Sequence, residues 1–144
     1  MAFFPIPFHL PPLEGPAAPF WAAARDHKLV VQRCGGCRAW RHPPGPVCWR
    51  CRSPNAAFEP VSGRGEILSY TIVHQELLPE LAGVGPYNVI VVALADAPDV
   101  HIVSNLVGAA REQLAVGAPV EVVFEDVDAD ITLPRFRLAA PAKT

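Results

Sequence analysis

Four cysteines carry the clearest chemistry in this 144-residue chain: Cys34-Gly-Gly-Cys37 and, after a ten-residue interval, Cys48-Trp-Arg-Cys51. A C-x-x-C pair turns the backbone so that its amides point at the sulfurs, and two facing pairs supply the four thiolates of a tetrahedral zinc site. Gly35 and Gly36 are expected to allow the tight turn of the first pair. Iron fits the same ligand set. Two disulfides would need an oxidising compartment, and a redox C-x-x-C stands once at a helix start rather than twice facing itself. With four thiolates and no open position, such an ion holds a fold and does not activate water. His42 is not needed to complete the set, and His27, His74 and His101 read as surface or strand histidines.

Arg33, Arg38, Arg41, Arg50 and Arg52 flank the ligands. They either offset the negative charge of a four-thiolate centre or recognise an anion such as a phosphate-bearing cofactor. The wider charge pattern is lopsided although the net charge is only -2. Residues 25–64 carry eight Lys or Arg against two acids, whereas residues 65–132 carry eleven acids against Arg111 alone. The switch falls at Ser62-Gly63-Arg64-Gly65 and marks two structural units.

The elements that must position these groups follow from pattern. Residues 1–17 read as an extended arm, because Pro5, Pro7, Pro11, Pro12 and Pro16 forbid helix while Phe3, Phe4, Ile6, Phe8 and Leu10 are too apolar for a solvated tail. Pro19-Phe20-Trp21 followed by three alanines predicts a short helix ending near His27. Leu29 to Gln32 and Phe58 to Val61 predict two ribbon strands. From residue 66 the period becomes two, and strands are expected at Glu66–Gln75, Tyr87–Ala95, Val100–Val107, Pro119–Val127 and Thr132–Leu138. A helical turn at Ala109–Leu114 lies between the third and fourth, the pattern of an OB barrel. The expected fold is therefore mainly β: an arm (1–17), a short helix and four-cysteine zinc ribbon (18–62), then a five-stranded OB-fold barrel with a C-terminal tail (63–144).

Composition limits the function classes. At 51% hydrophobic the chain is too apolar to be disordered. Its longest apolar run, Val89 to Ala95, is far short of the roughly 20 residues of a membrane helix. The start Met1-Ala-Phe-Phe-Pro5 lacks the basic residues of a secretory signal, so a cytoplasmic location is expected and no membrane contact. Independent catalysis is not expected: the cysteines are committed, G-x-S-x-G is absent, and Asp126, Asp128 and Asp130 read as a solvated hairpin turn. Nucleic acid is the rival ligand class, since ribbons and OB barrels both serve it. The acidic barrel half, with only Tyr70, Tyr87 and Phe124 to stack, opposes that reading.

Several stretches in order are similar to one family: Phe20-Trp21, Lys28-Leu29, Gln32-Arg33-Cys34, Pro43-Pro44, Ser62-Gly63-Arg64-Gly65, Ser69-Tyr70-Thr71, Pro86-Tyr87, Gly117-Ala-Pro-Val120-Glu-Val122 and Leu133-Pro134-Arg135-Phe136. Over about residues 18–138 the chain resembles the small proteins that pair a rubredoxin-like zinc ribbon with an OB-fold, long labelled a domain of unknown function. Arg38 and Arg52 depart from it, standing where the family usually has glycine, as does the turn Asp96-Ala-Pro-Asp99 in place of an acid-glycine pair.

The resemblance implies a non-catalytic accessory subunit of a thiolase-like or lipid-transfer-protein-like partner, assembled two plus two. It implies structural zinc on Cys34, Cys37, Cys48 and Cys51, and acyl-CoA as a ligand shared with the partner in lipid or steroid metabolism. The partner's reaction would be thiolase-type condensation or retro-aldol carbon–carbon cleavage of an acyl-CoA. Arg38, Trp40, Arg41, Trp49, Arg50, Gly85 and Tyr87 are the expected contacts to CoA or partner.

Overall fold

The computed structural model describes Phe3, Phe4 and residues 10–140. Pro5, Ile6, Pro7 and Phe8 of the expected arm lie outside the described residues. Gly15–Ala17 form one 3-10 turn that runs into helix α1, Ala18–Arg25, with Pro19 in its first turn. Phe20 and Ala24, four residues apart, are its buried face. The helix stops where His27 takes a left-handed φ of 57°, with the amides of His27 and Lys28 donating back to the carbonyls of Ala24 and Ala23.

Two antiparallel sheets follow. In the ribbon, β1 (Val30–Cys34) lies between the two-residue β2 (Trp40–Arg41) and β3 (Ala56–Pro60). The barrel comprises β4 (Arg64–Val73), β5 (Tyr87–Leu94), β6 (His101–Ser104), β7 (Pro119–Asp126) and β8 (Thr132–Leu138), in spatial order β6-β5-β4-β7-β8. The helical turn between β6 and β7 is a single 3-10 turn, Arg111–Gln113. The side chain of Gln113 caps it by accepting the Ala110 amide.

The third strand is shorter than its pattern predicts because Asn105 and Leu106 leave β5 and cross to β8. There the Phe136 amide donates to Asn105 at 3.1 Å and the Val107 amide donates to Phe136 at 2.8 Å. This seam curls the sheet into the OB barrel, so that β6 and β8 meet instead of leaving two open edges. Side chains reinforce it. Asn88 exchanges two hydrogen bonds with Leu106, and Asn105 donates to Asn88 and accepts from Arg135.

A bulge sets the phase of β4. Ile67 pairs with Val92 and Ser69 with Val91, so Leu68 is the extra residue. Ile67 is fully buried, Leu68 is left exposed, and Ile72 packs on the core from the opposite parity. One continuous core joins ribbon and barrel: Phe20, Leu29 and Val31 cluster with Ile67, Ile90, Val92, Val120 and Phe136.

At the junction Gly63 has a φ of 78°, and a Cβ there would collide with the side chain of Val122. Arg38 and Arg52 also have left-handed φ values of 64°, one residue past each cysteine pair. The turn freedom expected at Gly35 and Gly36 is thus required at these two arginines instead. Gly63→Ala should destabilise by about 2–4 kcal/mol, combining left-handed strain with overpacking, as read by urea unfolding. Arg52→Gly, at an exposed site, should be neutral or stabilising within about 1 kcal/mol.

A polar clip links the helix end to the β7–β8 hairpin: His27 Nε2 donates to Asp126 Oδ1 at 2.8 Å, and Thr132 donates to the same oxygen at 2.7 Å. The His27 hydrogen bond is the main cause that lowers the Asp126 pKa below its ordinary value of 3.8. A depressed carboxylate contributes stability that is complete above the unfolded pKa and is lost as pH falls through the folded one. Wild type should therefore lose more stability than Asp126→Asn as pH falls below about 4, measured by melting between pH 7 and pH 3.

Candidate metal centre and partner-facing surface

The four sulfurs converge. All lie within 4.8 Å of one another, with Cys34 to Cys51 at 3.5 Å and Cys37 to Cys48 at 3.7 Å. A tetrahedral ion with metal–sulfur bonds of about 2.3 Å needs sulfur–sulfur edges of about 3.8 Å, so the donor set fits zinc closely. It is the sole cluster of three or more ligating side chains among the described residues.

The two pairs are built alike. Gly36 and Arg50 donate their amides to the sulfurs of Cys34 and Cys48 at 3.3 and 3.4 Å. Arg38 and Arg52 donate theirs to the carbonyls of Cys34 and Cys48. These turns orient the sulfurs and favour thiolate. The backbone at Cys37, helped by the Gly36 amide, lowers Cys34 to about 6 against the opposing effect of burial. Cys48 is lowered chiefly by the backbone at Cys51. For Cys37 the Ala39 amide pulls downward, yet burial and the three neighbouring sulfurs outweigh it and push the thiol to about 11. Sulfurs this close resist sharing further negative charge, which a retained proton on Cys37 or a bound cation relieves.

The arginines beside the centre have distinct roles. Arg33 and Arg38 both bond Glu59, at 3.2 and 2.8 Å, and lower its pKa, while Arg33 also lies 4.3 Å over the Trp40 ring. Arg41 is buried. It donates to the Gln32 side chain at 2.6 Å and to the Gly45 carbonyl at 2.9 Å, and Gln32 also accepts the Gly45 amide. This clamp fixes the loop that leads into Cys48. His42 lies beside Phe20, and burial pushes its pKa below the ordinary histidine value.

Among the described residues Trp49 is the most exposed large apolar side chain, at 72%, and stands on the second cysteine turn beside exposed Arg50, Cys51 and Arg52. Of the expected contact residues, then, Trp49, Arg50 and Arg38 reach solvent, Trp40 is half-buried and Arg41 faces inward. Gly85 and Tyr87 are in a different place, at the open end of the barrel, Gly85 on the loop before β5 and Tyr87 at the first position of that strand. There Tyr87 lines a cavity of about 950 Å³ with Val84, Leu106, Val123 and Phe124. The cavity, and the Glu125–Arg135 pair in its wall, had no local sequence signal beyond the glycines of the Gly83–Gly85 turn.

The aspartate turn is consumed by its own backbone. Asp128 accepts the amides of Asp130 and Ile131 at 2.8 Å each. His74 and His101 are exposed strand-end residues. No helix among the described residues is long and apolar enough to cross a membrane.

Comparison with known proteins places this arrangement. Residues 21–57 match the ChsH2 rubredoxin-like zinc ribbon domain, and residues 58–125 match the ChsH2 C-terminal OB-fold domain. A probable enoyl-CoA hydratase alpha subunit of Thermomonospora curvata is 39% identical over 85% of the chain. A 3-oxo-4,17-pregnadiene-20-carboxyl-CoA hydratase alpha subunit of Mycobacterium tuberculosis is 30% identical over 74%. The chain spans only 37% and 33% of the lengths of these two relatives. A solved chain described as an Ltp2-ChsH2(DUF35) aldolase is 36% identical, covering 90% of this chain and 99% of that one, with a TM-score of 0.80. A DUF35-family protein of unknown function from Sulfolobus solfataricus shares the fold, with a TM-score of 0.60 over 87% of each chain, at 16% identity. With paired sulfur turns, a closed five-stranded barrel and a near-complete match to that aldolase chain, the protein belongs to the ChsH2 (DUF35) family of zinc-ribbon and OB-fold proteins.

Proposed function

We propose that the chain is a subunit that docks on a thiolase-like partner and helps to complete the partner's acyl-CoA site. The partner would perform carbon–carbon bond chemistry β to the thioester. The observation that carries this reading is the 36% identity over 99% of a solved chain whose description pairs Ltp2 with ChsH2(DUF35) in an aldolase. The curated relatives are both named as alpha subunits of CoA-thioester hydratases, which agrees with a CoA substrate and with assembly.

The physical support is the second cysteine turn. A tryptophan with an arginine beside it, exposed on a rigid loop, is the composition of an interface anchor. Arg41 and Gln32 hold the segment that leads into this turn, and two of the turn's residues, Cys48 and Cys51, would be zinc ligands, which makes it rigid. Cleavage or condensation of an acyl-CoA needs a nucleophile or general base at the reacting carbons, and on this reading the partner supplies it. The chain's own share is to bind, orient and shield. Zinc on Cys34, Cys37, Cys48 and Cys51 would cross-link the ribbon with no coordination position left for substrate.

Two outcomes follow. The purified chain should hold one zinc, and Cys34→Ser/Cys37→Ser should lose it and lower the melting temperature by roughly 10 °C or more, as read by metal analysis and calorimetry. Co-expressed with a thiolase-like protein of the Ltp2 kind, the chain should co-elute on size exclusion at micromolar concentration. Trp49→Ala should then weaken the complex by about thirtyfold or more while leaving zinc content unchanged, and separate elution of the wild-type pair would overturn the reading.

A further inference from the structure

The cavity at the open end of the barrel is walled in part by the chain's own first aromatic residues. Phe3 and Phe4 line it, their rings edge to face at 4.8 Å. Phe4 meets Tyr87 edge to face at 5.2 Å, and the guanidinium of Arg135 lies 5.2 Å from the Phe3 ring and 5.9 Å from the Phe4 ring. These rings come from the far end of the sequence, and they remain only half-buried. A space of about 950 Å³ is at the upper end for a pocket that takes a small organic molecule.

The chemistry of the wall defines what fits. Ile72, Val84, Leu106, Val107, Val123 and Phe124 make it apolar. Its charged groups are mostly committed: Arg135 donates to Glu125 at 2.8 Å, with both side chains only 12% exposed, and Asp126 accepts from His27 and Thr132. Arg111, on the 3-10 turn at the rim, is exposed, and its guanidinium forms no ion pair or hydrogen bond among the described residues. The uncommitted charge is therefore positive, and it stands at the edge of an apolar hollow.

We infer that this cavity is a binding site for a small amphipathic anion. The ligand's apolar body lies in the free space against the Phe3 and Phe4 rings, and its anionic group meets Arg111. The two phenylalanines are part of the wall that holds it. The site is carried by the isolated chain, so its test needs no partner and is independent of the docking proposal.

The test is titration of the full chain with 1-anilinonaphthalene-8-sulfonate, a fused-ring apolar body bearing a sulfonate. Phe3→Ala/Phe4→Ala should bind it about fivefold more weakly than wild type, because two aromatic groups of the wall are gone. Arg111→Glu should bind it about fivefold more weakly. Neither substitution touches the closed core, so both proteins should keep the wild-type melting temperature within about 2 °C. Saturation with the probe should shift the methyl resonances of Leu106, Val107 and Val123. Affinities within twofold of wild type in both variants, no binding in any of the three proteins, or methyl shifts confined to the ribbon would each overturn the inference.

Discussion

Four sulfurs held within 4.8 Å of one another are the constraint on which the ribbon depends. The backbone turns that bring them together also stabilise thiolate at Cys34 and Cys48, while crowding pushes Cys37 the other way, to about 11. A sulfur set pulled in opposite directions is one that shares a limited amount of negative charge, and a divalent cation removes that limit. Little else in the ribbon could hold it: its sheet has a two-residue edge strand, and its apolar contribution to the core is Phe20, Leu29 and Val31 with Trp21, Trp40, Phe58 and Val61 at the margin. A unit this small ordinarily needs a metal or a disulfide.

Ribbon and barrel carry opposite charge, yet charge is not what joins them. The polar links between them are exposed: His27 to Asp126, and Ser62 to Asp96 at 2.6 Å. Exposed pairs of this kind contribute little. Burial does more, since Phe20 and Val31 enter the same cluster as Ile67, Val120 and Phe136. The left-handed Gly63 lets the chain turn from one sheet into the other while its carbonyl accepts the Val122 amide at 2.9 Å.

What the sequence made legible was whatever has a fixed spacing or a long period. The four ligands, the five barrel strands, the helix at Pro19 and the junction at Ser62–Gly65 all carry such signals. The missing parts are those set by single contacts. Trp40–Arg41 is too short for alternation to register, and it is a strand only because Gln32 and Arg33 pair with it. The bulge at Leu68 is invisible because apolar residues occupy both parities of β4, so either face could have been the inner one. The seam through Asn88, Asn105 and Arg135 joins residues distant in sequence, none of which looks like part of a closure by itself. Arg41 reads as a surface charge because arginine usually is one, and only the pairing of β1 with β2 sets it against Gln32.

That same buried arginine ties the metal centre to the surface. Gln32 on β1 accepts from Arg41 and from Gly45, so one side chain anchors both ends of the loop between β2 and Cys48. Cys48, buried and hydrogen-bonded by the Arg50 amide, then fixes the turn whose outer side presents Trp49. An exposed aromatic on a mobile loop would lose much of its contact energy to ordering when a partner covers it. On the proposed reading the ordering would be done beforehand, by ligation on one side and by the Gln32–Arg41 amide–guanidinium clamp on the other. A metal on the four cysteines would then act at a distance on recognition: it need never touch a substrate to decide whether the surface beside it is in the right shape.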